Sequence, residues 1–165
     1  MRNLWAPWRI KYIRMNKKNK GCFLCEHIKE NRDRENLILY RGKKAFIIMN
    51  KYPYNNGHLM VAPYRHVKSI EDLFEEEINE IFKLLILCKK ALDEEMNPNG
   101  FNIGLNIGRA AGAGEEHLHF HIVPRWIGDT NFMPVISDTK VISQSLLELY
   151  DKLKPIINRL AKSLN

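Results

Sequence analysis

Three histidines stand at alternate positions in Glu116-His117-Leu118-His119-Phe120-His121-Ile122-Val123-Pro124. Strict alternation of polar and apolar residues is the period of a β-strand with one buried face. Leu118, Phe120 and Ile122 are therefore expected in a core, with His117, His119 and His121 on the opposite face, roughly 6.5–7 Å from one to the next. Imidazole acts as nucleophile, acid, base or metal ligand near neutral pH, so three on one rigid surface amount to a reaction site. Two other readings stand beside this one: a chance alternation on a solvated face, or one metal held by all three rings. Gly108-Arg109-Ala110-Ala111-Gly112-Ala113-Gly114 runs directly before the histidines. A turn of mostly Gly and Ala exposes backbone N–H groups that suit phosphate oxygens. It lacks the Lys-Ser/Thr of a P-loop, so magnesium chemistry of that kind is unsupported. Asn50, His58 and His66 are further polar candidates for the same constellation.

Cys22-x-x-Cys25 supplies a second kind of chemistry, two thiols at zinc-chelate spacing. No second such pair exists, so the remaining two ligands must be histidines, with His27, His58, His66 and the alternating three as candidates. A redox pair is expected at the start of a helix beside a βαβ unit, and the sequence context here lacks that.

The elements that must hold these groups follow from periodicity and turn residues. Asn36 to Arg41 and Lys44 to Asn50 read as strands joined at Gly42, and His58 to Pro63 as a third strand after a loop ending Asn55-Asn56-Gly57. Ser69, with Asp72 three residues on, is expected to cap a long helix. Its apolar face carries Leu73, Phe74, Ile78, Ile81, Phe82, Leu85 and Leu92, with Cys88 buried inside it. Asn97-Pro98-Asn99-Gly100 stops it. Phe101 to Ile107 reads as a fourth strand, the histidine strand is the fifth, and Val141 to Leu160 is a second helical region with Pro155 near its end. This order predicts an α+β domain: an antiparallel sheet of about five strands, with two main helices on one side.

Size and composition bound the function. The 165 residues suffice for one domain with a real core, and 45% hydrophobic with 27% charged residues are globular values. No apolar run reaches the ~18 residues of a membrane span. The basic N-terminus is followed by no apolar signal region, and three cysteines, an odd number, point to a reducing compartment. We expect a cytoplasmic protein without membrane contact. Seven of the 26 basic residues lie in the first twenty positions with no acid, leaving nineteen basic and nineteen acidic residues in the body. Residues 1–20 form a basic arm, too apolar around Trp5, Trp8 and Tyr12 to be a free tail. We read this arm as packing on the body or on a second subunit, rather than on nucleic acid, and residues 21–165 as a single domain.

The segment His117-Leu118-His119-Phe120-His121-Ile122-Val123 resembles the signature of the histidine-triad (HIT) nucleotide hydrolases and transferases, His-φ-His-φ-His-φ-φ with φ apolar. The resemblance extends to Asn50–His66, Phe101–Trp126, the Cys22/Cys25 pair, the Trp-x-Pro-Trp-Arg arm and Asp129-Thr130-Asn131-Phe132-Met133-Pro134. These features together are similar to the bacterial branch of diadenosine tetraphosphate phosphorylases and ATP adenylyltransferases.

The resemblance implies a HIT-like fold, a homodimer, and an adenine nucleotide or dinucleoside polyphosphate as substrate. It implies His119 as the nucleophile that becomes a nucleotidyl-imidazole, which splits one hard displacement into two easier ones. By the same resemblance His121 and His58 hold the α-phosphate and stabilise charge, Asn50 binds the ribose and Asn106 contacts a phosphate or the leaving group. Relatives that contain zinc imply a structural site at Cys22, Cys25, His66 and His117, with no metal needed for the chemistry. Many relatives carry Ser or Thr where this chain has Gly114, so the backbone of Gly112, Ala113 and Gly114 is the expected substitute donor. Phosphorolysis is the favoured reaction on this branch. A phosphoramidase using the same intermediate, and a zinc-containing nucleotide-binding protein without turnover, are the alternatives.

Overall fold

The computed structural model describes residues 21–129, 142 and 144–163. The arm at 1–20, with the domain division drawn after it, and residues 130–134 of the segment following the triad lie outside the described residues. Five strands form one antiparallel sheet: β1 (Ile38–Arg41), β2 (Ala45–Met49), β3 (Leu59–Pro63), β4 (Gly100–Leu105) and β5 (Phe120–Arg125), in the order β1-β2-β3-β5-β4. Among the described residues three α-helices accompany it: α1 (Phe23–Lys29), α2 (Glu75–Met96) and α3 (Leu146–Ala161).

Alternation along the strands divides the sheet into two faces. Ala45, Ile47, Met49, Leu59, Val61, Phe120 and Ile122 join the main core, which α2 fills with Ile81, Leu84, Leu85, Cys88, Ala91 and Leu92 and α3 with Leu149, Leu153 and Ile157. Cys88 is fully buried there, and burial pushes its thiol far up. The opposite face carries Ile38, Phe46, Ile48, Met60 and Ala62, covered by Leu24 of α1. The two main helices thus lie on one side of the sheet, as expected from sequence, and the short α1 lies on the other. The short α1 is not anticipated by the sequence at all, because seven residues are too few to show a helical period.

The long helix begins at Glu75, not Ser69, and Ile70–Asp72 is a separate 3₁₀ turn. Glu77 decides this: its carboxylate accepts from the Phe74 N–H at 2.9 Å, one half of a capping box, and pairs with Arg65 at 2.6 Å. Asn97, left-handed at φ 45°, ends the helix as expected. Helix α3 starts at Leu146 behind Ser145, whose hydroxyl accepts from the Glu148 N–H, and Pro155 stands inside it rather than near its end. From α3, Tyr150 Oη and Lys154 Nζ donate to the carbonyls of Ile38 and Leu39 on the edge strand β1, at 3.0–3.3 Å.

The hairpin turn at Gly42 is held by Glu80 of α2, whose carboxylate accepts the N–H groups of Lys43, Lys44 and Ala45. The loop from β2 to β3 closes at Gly57, where φ is +78° and an added Cβ would lie 2.7 Å from Met96 Sδ and 2.9 Å from Pro124 Cγ. Left-handed strain and overpacking act together at that point. Gly57→Ala is expected to lower stability by about 2–4 kcal/mol, read as a drop in the calorimetric midpoint with the assembled fold retained by circular dichroism.

Candidate active site and metal centre

The ladder between β3 and β5 pairs Leu59 with Ile122, Met60 with His121 and Val61 with Phe120, and there it stops. Pro63 has no N–H to carry it further. Its carbonyl instead meets His117 Nε2 at 2.8 Å, while Leu118 N–H reaches across to the Val67 carbonyl at 2.8 Å. The expected strand over 116–124 is thus real only from Phe120, although the alternation of faces holds: Leu118, Phe120 and Ile122 enter the core and the histidines do not. All three histidines are buried, so none lies on a solvated face.

Each ring has a different partner. His117 Nε2–H donates to Pro63, which leaves Nδ1 as a bare lone pair, 3.5 Å from Cys22 Sγ and 3.4 Å from Cys25 Sγ. His66 Nδ1 lies 3.4 Å from Cys25 Sγ. The ligand atoms of Cys22, Cys25, His66 and His117 all fall within 4.8 Å of one another. A tetrahedron with bonds of about 2.0–2.3 Å has edges of about 3.3–3.8 Å, so the sulfur–nitrogen separations are those a bound ion requires. Two thiolates with two imidazoles, one steadied by a backbone carbonyl, fit a closed metal site.

Three elements build that site. Helix α1 is seated by Leu24 and by Arg41, whose guanidinium donates to the Ile28 and Glu30 carbonyls at the helix end and pairs with Asp33. Cys22 stands at the start of α1, which departs from the sequence expectation, but no βαβ unit accompanies it. The loop bearing His66 is fixed by Arg65, bonded to Glu77 and to the Asp72 carbonyl, with Cζ 3.8 Å over the Phe74 ring. Burial pushes the Cys22 thiol up to about 11, with Cys25 and Glu115 as further neighbours. Burial also brings His117 down to about 4, so it is neutral at pH 7, as a ligand must be. His27 falls outside this group, on α1 against Phe23.

His119 Nδ1–H donates to the His117 carbonyl at 2.8 Å, which leaves its Nε2 as the lone pair. Burial lowers its proton affinity, against the opposing pull of that carbonyl. Its ring centroid is 4.7 Å from that of His121, edge-on, closer than the strand repeat because the rings tilt together. His121 Nδ1 lies 2.9 Å from His58 Nε2. The Tyr54 N–H donates to His58 Nδ1 at 3.0 Å, and the Tyr54 ring lies 4.6 Å from the His58 ring. Sequence reasoning marks Tyr54 only as part of a connector. An aromatic residue four before His58, between Pro53 and Asn55-Asn56-Gly57, is the available signal.

The remaining candidates flank these rings. Asn50, at the end of β2, accepts the Tyr52 N–H on Oδ1 at 2.8 Å. Asn106 follows the last β4–β5 pair, Leu105 with Phe120, so the register carries it toward His119. In the glycine loop, Gly108 and Gly112 take positive φ, and the Gly112 and Ala113 N–H groups donate back to Arg109 and Gly108 at 3.0 and 3.2 Å. An anion there would have to exchange with those turn bonds. Arg125, at the end of β5, is engaged with Asp129 at 2.7 Å. Among the described residues no helix is long and apolar enough to cross a membrane.

Comparison with known proteins gives the chain a context. Residues 31–126 match the HIT domain. A Mycobacterium tuberculosis AP-4-A phosphorylase is 40% identical over 154 residues, covering 88% of this chain and 79% of that protein. A bis(5'-adenosyl)-triphosphatase of Dictyostelium discoideum is 30% identical over 92 residues, 56% of this chain and 62% of that protein. Among solved structures, a hypothetical histidine triad nucleotide-binding protein of Sulfolobus tokodaii superposes with TM-score 0.68 at 29% identity, covering 84% of this chain and 93% of that one. A zinc-bound histidine triad family protein of Mycobacterium smegmatis shares the fold, with TM-score 0.69 at 22% identity over 87% of this chain and 97% of that one.

A histidine whose folded proton affinity lies below its unfolded value stabilises the fold fully above the unfolded value and loses that contribution as pH falls. For His117 the window runs from about 6.5 down to about 4, and His119 acts with the same sign. Metal-free protein is expected to lose about 2 kcal/mol between pH 7 and pH 5 through His117, measured by urea unfolding at each pH.

Proposed function

This chain belongs to the HIT domain family, and from that premise we propose that it is an enzyme that transfers a nucleotidyl group from dinucleoside polyphosphates of the diadenosine tetraphosphate type, with phosphate favoured over water as acceptor. The observation that carries the reading is the 2.8 Å bond from His119 Nδ1–H to the His117 carbonyl, which commits the other nitrogen as a nucleophile. In the first step His119 Nε2 forms a bond to the α-phosphorus while the bond from phosphorus to the bridging oxygen breaks, releasing ATP. In the second a phosphate oxygen attacks the same phosphorus, the N–P bond breaks, and ADP leaves.

His121 and His58 complete the donor set. The Tyr54 N–H fixes His58 Nδ1 as an acceptor, so His58 Nε2–H donates to His121 Nδ1 and the His121 proton sits on Nε2. That N–H stabilises the charge on the phosphate and the departing oxygen. Asn50 contacts the ribose, Asn106 a phosphate oxygen, and the backbone of Gly112, Ala113 and Gly114 the rest of the polyphosphate. Support for this substrate class comes from the relatives named above, a phosphorylase and a triphosphatase.

We assign zinc to Cys22, Cys25, His66 and His117 as a structural ion, since four protein ligands leave it no open position for substrate. We read the protein as a cytoplasmic homodimer. An exposed apolar stripe of Ile78, Phe82 and Ile86 on α2, and Ile103 on the open edge strand β4, give a second copy its surface.

His119→Ala is expected to cut turnover by on the order of 10³ or more while circular dichroism and nucleotide binding stay unchanged. With diadenosine tetraphosphate and inorganic phosphate, ADP plus ATP should form in equal amounts. AMP plus ATP regardless of phosphate would mean hydrolysis, and no product and no acid-labile adduct would end the enzyme reading. Cys22→Ser should lose the metal and lower the melting midpoint by several degrees, while kcat of the folded protein changes little, because the Pro63 carbonyl still holds His117.

A further inference from the structure

Of the histidines outside the metal group, His119 is fixed by a backbone carbonyl and His121 by His58. What fixes His58 is a loop. Its Nδ1 accepts the backbone N–H of Tyr54 at 3.0 Å, and the same residue's ring lies 4.6 Å from the His58 ring at 30° and 5.6 Å from the His121 ring at 38°. An amide N–H can only donate, so it dictates which nitrogen of His58 is bare. The choice then passes along the 2.9 Å contact to His121. A proton on His58 Nδ1 would face the amide hydrogen head-on. Its Nε2 would then accept instead of donate, and the His121 proton would move to Nδ1, away from a substrate.

The loop is built to hold that amide still. Its entry is pinned by the Asn50 side chain, which accepts the Tyr52 N–H, and by the Asn50 N–H donating to the His58 carbonyl at 3.0 Å. Beyond Tyr54, Asn55 Nδ2 donates to the Pro124 carbonyl at 3.2 Å and to Asp129 at 2.8 Å. Asp129 is in turn held by Arg125. Gly57 follows in a conformation that leaves no room for a side chain.

We propose that Tyr54 is a positioning residue: its backbone N–H sets one tautomer of the His58–His121 pair and its ring covers the pair, so that a proton is presented to the substrate phosphate from His121 Nε2. The inference rests on the nucleotidyl-transfer reading for its consequence in turnover, but not for its geometry. The Tyr54 N–H is spent on His58 Nδ1. It acts through His58, so its loss slows the chemical step without weakening nucleotide binding.

The test exchanges the amide at residue 54 for an ester, which deletes the N–H and keeps the Tyr54 side chain, beside Tyr54→Phe and Tyr54→Leu, which keep the N–H. Nitrogen-15 spectra of the histidine rings in substrate-free protein report the tautomer, because bare and protonated ring nitrogens resonate far apart. Wild type should show His58 and His121 protonated on Nε2. The ester protein should lose that pattern and show kcat lower by about tenfold or more with KM within about twofold. Tyr54→Phe and Tyr54→Leu should both keep the pattern, with a loss of kcat smaller than that of the ester protein. An ester protein with wild-type tautomers or wild-type kcat would overturn the proposal. Should it not fold, the wild-type spectrum decides: a proton on His58 Nδ1 overturns the idea, and one on Nε2 in both wild type and Tyr54→Leu supports it. Failure of the functional reading looks different, since wild type would then turn over no diadenosine tetraphosphate whatever its tautomers.

Discussion

The carbonyl of Pro63 marks the point where strand pairing ends and the site begins. Proline cannot donate to a ladder, so β5 has no partner before Phe120, and the residues just ahead of it are free to take other bonds. His117 uses that freedom, placing Nε2–H on the Pro63 oxygen and Nδ1 among the thiols. Its own carbonyl is then left for His119. One peptide thus joins the candidate metal group to His119, and both rings are buried with a fixed proton. A buried imidazole nitrogen left without a partner would cost about 1–3 kcal/mol, so the arrangement is specified as well as tolerated.

The two faces of the sheet are unequal. One is filled by α2 and α3 and supplies most of the buried apolar side chains. The other is covered at the β1–β2–β3 end by α1. A row of residues crosses that face from Ile38 through Ile48 and Met60 to His121 and Gly104. Apolar side chains give way to a histidine and then to a glycine, where an added Cβ would meet nothing within 4 Å.

Much of this is legible along the chain. Alternation at 116–124 places Leu118, Phe120 and Ile122 in the core, and Asn97 stops the long helix where expected. The four residues of the metal group are implied by resemblance, and they lie together. Helix boundaries are less legible. Ser69 and Asp72 have the right residue types for a cap, yet Glu77 wins because it can satisfy both Arg65 and the Phe74 amide. The short α1 cannot be read from sequence, since its stability comes from Leu24 and Arg41 contacts that are distant along the chain.

The sequence alone determined the strand period, the antiparallel α+β class and the residue types able to do chemistry, because those depend on local spacing and on what each side chain is. Which nitrogen of each ring carries the proton was decided only by tertiary structure. Those protons answer to the Pro63 carbonyl, the His117 carbonyl and the Tyr54 amide. Backbone groups are the same at every position, so a sequence cannot say which of them a side chain will meet until the chain has folded.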